Sequence, residues 1–167
     1  QRRFPDASLT VAGDGWQRKQ LEELARDLGL RNVEFIGRVT FEKMPALYDS
    51  ADIYLTATDI DNMPGSVIEC FASGLPVVTT DAGGIPYILA HEETGLMVRR
   101  GDHEALAASA IRLLEDNALA AGIAARARER CRDFSWTEVR DQWLRLYRPL
   151  ARHRTGREYG TGSEEGA

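Results

Sequence analysis

Two carboxylates stand eight residues apart in "TDIDNMPGSVIECFASGLPVV" (Thr58–Val78), Asp61 in a polar, turn-prone stretch and Glu69 inside what reads as a short helix. Pro64 and Gly65 interrupt the chain just before that helix, and Ser66 offers a cap. Such a start leaves the backbone N–H groups of Gly65, Ser66 and Val67 free and pointing outward. Free donors at the positive end of a helix dipole suit a phosphate. Glu69 falls about one turn in, on the edge of the same place. An ionised carboxylate only accepts hydrogen bonds, so it takes two O–H donors from a vicinal diol, as a ribose supplies. Asp61 has the same capacity toward a sugar. The segment is thus able to grip a diphosphate with hydroxyls on either side. On spacing alone, two solvated surface acids remain the alternative.

Other candidates are weaker. "GDG" at Gly13–Gly15 opens like a dinucleotide fingerprint, but position 18, where a third glycine belongs, is Arg18. A tight strand-to-helix turn accounts for it. His91, His103 and His153 make no Ser–His–Asp or metal-binding pattern and read as surface histidines. Cys70 and Cys131 are far apart without metal-ligand spacing, and read as reduced thiols. Trp136, Trp143 and Tyr147 recur at nearly helical spacing and read as packing against a sheet or a neighbouring domain.

The elements that would position the two acids alternate in type. Strands are expected at Ser8–Gly13, Asn32–Gly37, Asp52–Thr58, within "LPVVTTDAGG", and in "TGLMVRRGD". Between them lie a helix with Leu21, Leu24, Ala25 and Leu28 on one face and a stop at Gly29, a short helix in "FEKMPALYDSA", one from about Gly65 to Ser73, and a short one in "IPYILAH". Three further helices follow, the last from Ser135 to Leu150, where Ser135 and Glu138 form a capping box. Apolar strands alternating with helices predict an α/β domain, a doubly wound Rossmann-like parallel sheet flanked by helices, over residues 1–150. Residues 151–167, rich in Gly, Thr, Ser and charge, are expected to be a disordered tail. Ligands of such sheets bind at the carboxyl ends of the strands. That rule singles out Gly13–Gly15, Gly37–Val39 and the Thr58–Ser66 loop.

Composition sets the outer bounds. The 167 residues suit one domain, with 43% hydrophobic and 28% charged residues. A net charge of −5 argues against a nucleic-acid partner. No apolar run approaches the roughly 20 residues of a membrane span. The opening "QRRFPDASLT" has no apolar core of the signal-peptide kind. The start at Gln1, without an initiator Met, suggests a piece of something longer.

The segment "DNMPGSVIECFASGLPVVTTDAGGIP" resembles the nucleotide-binding domain of retaining glycosyltransferases with the two-domain GT-B fold, family four. The first acid, Asp61-Asn62-Met63-Pro64, is followed in the family's order by Glu69, Ala72, Gly74, Pro76, Val77, Val78, Gly83 and Gly84. Upstream "LTVAGDG", "VEFIGRV" and "LYDSADIYL", and downstream "ETGLMV", also fit, so the likeness runs from about Leu9 to Leu150. The resemblance implies that Asp61 and Glu69 are the functional acids, Glu69 on the ribose hydroxyls and Asp61 on the donor sugar. It implies that the Met63, Pro64, Gly65, Ser66 and Val67 backbone, with Asn62, lines the diphosphate. Gly13, and Gly37, Arg38 and Val39 beside the base, complete the implied donor site. The implied partners are a nucleoside-diphosphate sugar and a glycan, lipid or small-molecule acceptor, without metal or other cofactor.

Three departures stand out. The first acid is Asp, one methylene shorter than the family's usual Glu, and Tyr87 stands where many members carry Glu. The family's first strand, with its loop bearing an Arg and a Lys, and the acceptor-binding N-terminal domain have no counterpart in these residues. The expectation is therefore a donor-binding fragment, inactive or nearly so alone, from a cytoplasmic enzyme or one peripheral at the inner membrane through the missing half. Helix Ser135–Leu150 is expected to brace that half. A non-catalytic nucleotide-binding or interaction domain, and a nucleotide-sugar epimerase or hydrolase of the same fold, are the alternatives.

Overall fold

The computed structural model describes residues 3–155, with side chains as far as residue 150. Its elements run β1 (Leu9–Ala12), α1 (Arg18–Asp27), β2 (Val33–Gly37), α2 (Met44–Asp49), β3 (Tyr54–Leu55), α3 (Gly65–Ser73), β4 (Val77–Thr80), α4 (Ile85–Ile88), β5 (Leu96–Val98), α5 (His103–Glu115), α6 (Asn117–Arg130), a 3-10 turn at Cys131–Phe134, and α7 (Trp136–Thr155). All strand pairing is parallel, with helices between successive strands, as the apolar runs predict. Helix α7 continues to Thr155, past the expected end at Leu150 and with Pro149 inside it. The rest of the expected tail lies outside the described residues.

The strands form two sheets rather than one. β1 pairs with β2, while β4 lies between β3 and β5. The registers are Leu9↔Val33, Tyr54↔Val77 and Val78↔Leu96. The apolar run at Ser8–Gly13 reads as a buried strand, but Leu9, Thr10 and Ala12 are exposed. A strand is buried only when its edges and faces are covered. Here β1 is paired along one edge among the described residues, and α1 contributes no buried residue over it. β3 is also shorter than the expected Asp52–Thr58, because only Tyr54 and Leu55 ladder with β4.

The core lies around β4, whose four residues are all buried. One cluster joins Val67, Cys70 and Phe71 of α3 to Val77, Ile85, Ile88, Leu89 and Ala127. A second joins Val78, Leu96, Leu113 and Ile123. Val67, Cys70 and Phe71 recur at three- and four-residue spacing, so a single face of α3 supplies all three. Helix α3 ends on Gly74, whose φ of 73° makes it a left-handed cap, in line with the expected end at Ser73. Helices α5 and α6 are each capped by an aspartate, Asp102 accepting from Ala105 N and Asp116 from Leu119 N, both at 2.9 Å.

Candidate functional site

The floor of the site is α3 and the loop that leads into it. Pro64 is the residue before the helix, in extended conformation, and no side chain caps the helix start. This corrects the expectation for Ser66. Its Oγ instead accepts a hydrogen bond from the Tyr54 hydroxyl, 2.9 Å away. Val67 also differs from expectation. Its N–H donates to the Pro64 carbonyl at 3.2 Å and so is not free, and its side chain is fully buried. Gly65 and Ser66 occupy the first turn that remains on offer to an anion. Pro64 itself is buried, while Asn62, Met63 and Gly65 are exposed.

Asp61 shapes the loop as well as carrying charge. One carboxylate oxygen, Oδ1, accepts from the Met63 N–H at 3.1 Å, the local turn that aspartate favours. The Asp61 carbonyl accepts from the Gly84 N–H at 2.8 Å. A Cβ at Gly83 would overlap the Asp61 carbonyl, and one at Gly84 the Asn62 carbonyl. The glycine turn after β4 and the loop after β3 are therefore in backbone-to-backbone contact. The Arg100 guanidinium reaches the Asp59 carbonyl at 3.5 Å and lies 3.8 Å from the Asp81 carboxylate, while the Arg100 N–H donates to Asp81 at 3.0 Å. The loops after β3, β4 and β5 are tied together at the carboxyl ends of their strands.

Glu69 is exposed, yet it is held. The Tyr48 hydroxyl donates to Glu69 Oε2 at 2.7 Å. The other oxygen, Oε1, sits toward the first turn, 3.9 Å from where a Cβ at Gly65 would stand. Tyr48 itself is only 6% exposed and stands edge-on to Tyr54, with ring centroids 6.5 Å apart. Burial, reinforced by the hydrogen bond to Glu69, raises the Tyr48 phenol well above its ordinary value. Burial likewise raises Tyr54. Both remain proton donors across the physiological range. The sequence reading missed this pair. Tyr48 is 21 residues from Glu69, and its only sequence signal is an aromatic in the otherwise ordinary "LYDSAD".

The second expected group lies on the smaller sheet. The Gly13 N–H donates to the Gly37 carbonyl at 2.7 Å, and both glycines have positive φ, 130° and 71°. Arg18, which interrupts the dinucleotide pattern, donates to the Phe35 carbonyl at 2.8 Å and pairs with Glu22 at 2.8 Å. Gly37 is buried, Arg38 exposed and Val39 half-buried. These residues sit at the carboxyl ends of β1 and β2. The structure brings Asp61, Ser66 and Glu69 together with Tyr48, Tyr54 and Gly83–Gly84, and separately joins Gly13 to Gly37.

The remaining candidates have structural explanations. His91 Nδ1 accepts from the Met97 N–H at 3.0 Å. Cys70 is fully buried, and burial pushes its thiol up to about 12, while Cys131 is half-buried, and both cysteines are free. Trp143 and Tyr147 stack on each other, centroids 5.1 Å apart, and are exposed rather than packed on a sheet. Ser135 Oγ accepts from the Glu138 N–H at 3.4 Å, which supplies half of the expected capping box. Among the described residues no cluster of three metal-ligating side chains occurs, and no helix is long and apolar enough to cross a membrane.

Parallel strands, intervening helices and acids grouped at the strand ends define an α/β domain of the kind found in GT-B glycosyltransferases. The profile of the family described as Glycosyl transferases group 1 matches residues 1–130, and the chain belongs to that family. It is 33% identical over 150 residues to the phosphatidyl-myo-inositol mannosyltransferase of Mycolicibacterium smegmatis, covering 89% of this chain and 38% of that one. Among solved structures it superposes on sucrose-phosphate synthase from Thermosynechococcus elongatus with a TM-score of 0.79 and 29% identity, over 90% of this chain and 40% of that one. Anabaena HepE in complex with UDP-glucose gives a TM-score of 0.71 at 26% identity, over 76% and 36%. The chain spans about two fifths of the length of these proteins.

Proposed function

We propose that this domain binds the nucleoside-diphosphate sugar of a retaining, family-four glycosyltransferase. One observation carries the reading: Glu69 presents a free carboxylate oxygen beside the uncapped first turn of α3, with Asp61 on the loop before it. In this reading Glu69 accepts from the ribose hydroxyls, and the Gly65 and Ser66 N–H groups meet the diphosphate. Asp61 addresses the donor sugar with the carboxylate oxygen not spent on Met63. Gly13, Gly37, Arg38 and Val39 border the base. The fold likeness to a protein captured with UDP-glucose supports a donor of this class.

Among the described residues β1 pairs with β2 alone and β3 with β4 alone, and these unpaired edges support the view that a further strand of the domain completes the sheet. The basic loop after that strand would neutralise the departing diphosphate, a large share of transition-state stabilisation. The acceptor, a glycan, lipid or small molecule, would bind to a second domain, which α7 with its exposed Trp143 and Tyr147 would brace. A cytoplasmic enzyme, at a membrane surface through that second domain, suits this arrangement, and the transfer needs no metal. Closure of the two domains would exclude water from the cleft.

The test is calorimetric titration with UDP, GDP, ADP and their sugars, of the unaltered chain and of Glu69→Ala. Loss of a carboxylate bonded to two hydroxyls should weaken binding by about 2–3 kcal/mol. Unchanged affinity in that variant removes the ribose assignment.

A further inference from the structure

We infer that Tyr48 is a positioning residue of the nucleotide site, acting through Glu69; the inference rests on the donor-binding reading above. A glutamate side chain on a helix surface samples several rotamers, and a ligand that needs one of them must order the rest. Here that ordering exists before any ligand arrives. The Tyr48 hydroxyl fixes Oε2 at 2.7 Å, and Oε1 is left on the Gly65 side of the helix.

The clamp is itself rigid. Tyr48 is buried on α2, inside the cluster that contains Val67, Cys70 and Phe71 of the same helix as Glu69. Its ring meets the Tyr54 ring at 79°, and the Tyr54 hydroxyl reaches Ser66, three residues before Glu69. Two phenols from different elements thus hold two polar side chains of α3, one in the first turn and one in the second. Each phenol gives its single proton inward, so the carboxylate keeps its remaining acceptor sites for a ligand. A phenol whose proton is secure stays a donor to Glu69 Oε2. The juxtaposition therefore sets where the acid points.

The consequence is specific to hydroxyl groups. Tyr48 should matter for a ligand that bonds Glu69 and be silent for one that does not. The test uses the 167-residue chain and whichever of UDP, GDP and ADP binds it most tightly, against the 2′,3′-dideoxy form of the same nucleotide. Tyr48→Phe should weaken the ribonucleotide about tenfold and leave the dideoxy form unchanged, with circular dichroism confirming the fold. In a Glu69→Ala background, Tyr48→Phe should add no further loss. Equal weakening of both nucleotides, or of neither, overturns the positioning role. If Glu69→Ala itself keeps the full preference for the ribonucleotide, the ribose assignment fails instead. Absence of binding by any of the three nucleotides to the unaltered chain overturns both.

Discussion

The two sheets of this domain are built from similar sequences and reach different states. Around β4, every strand residue is buried and α3, α5 and α6 close over it. Around β1 the same grammar of apolar strand, glycine and amphipathic helix leaves Leu9, Leu21, Leu24 and Leu28 exposed. The difference is not in local propensity. Among the described residues β4 has a neighbour on each edge, and β1 has one. Burial in a parallel sheet is a collective property, and a strand without a second neighbour loses the layer above it as well. The acids of the candidate site thus stand on the well-packed half, and the residues expected around a base stand on the other.

Substitutions can break this contrast. The largest effect belongs to Phe71→Ala, fully buried under the site helix, with an expected loss of about 3–5 kcal/mol in denaturant unfolding. Next comes an alkaline instability from Cys70. Its folded thiol lies above the ordinary 9.0, at about 12. The unfolded state releases the proton first, so the stabilisation is complete below pH 9 and lost as pH rises toward 12. In unfolding curves Cys70 should account for a decline on the order of 2–3 kcal/mol by about pH 11, which Cys70→Ala removes, while the raised Tyr48 and Tyr54 phenols leave a further alkaline decline in that variant. Gly84→Ala follows. Its methyl group would press on the Asn62 carbonyl, an overpacking of about 1–3 kcal/mol, whereas Gly15→Ala, with open space around it, should be neutral. The smallest effect is Leu24→Ala in α1, within about 0.5 kcal/mol. A loss there as large as at Phe71 would mean that α1 is covered in solution, and the contrast would disappear.

Much of this was legible in the sequence. The Pro-Gly interruption marks the start of α3, Gly74 its end, and the run at Val77–Thr80 the buried strand. The pair of acids stood out because their spacing is local. What was not legible depends on partners far along the chain. Ser66 looks like a cap because serine at a helix start usually is one, but Tyr54 reaches it first. The Val67 N–H looks free at a helix start, but the Pro64 carbonyl takes it. Tyr48 carries no local mark of its bond to Glu69. The division into two sheets is likewise a matter of pairing, which apolar runs do not specify.

The contact between Gly83–Gly84 and the carbonyls of Asp61 and Asn62 has a consequence for how such a sequence can drift. The contact is made by backbone alone, so it is indifferent to which acid occupies position 61 and intolerant of any atom added at 83 or 84. Variation at the residue that bears the charge leaves this contact standing: a glutamate at 61 would give up the side-chain bond from the Met63 N–H but not the close approach of the two backbones. Variation at the two residues with no chemistry of their own does not. What a lineage must preserve at this site is therefore partly an empty volume, and a search for its functional residues by reactive side chains alone would pass over it.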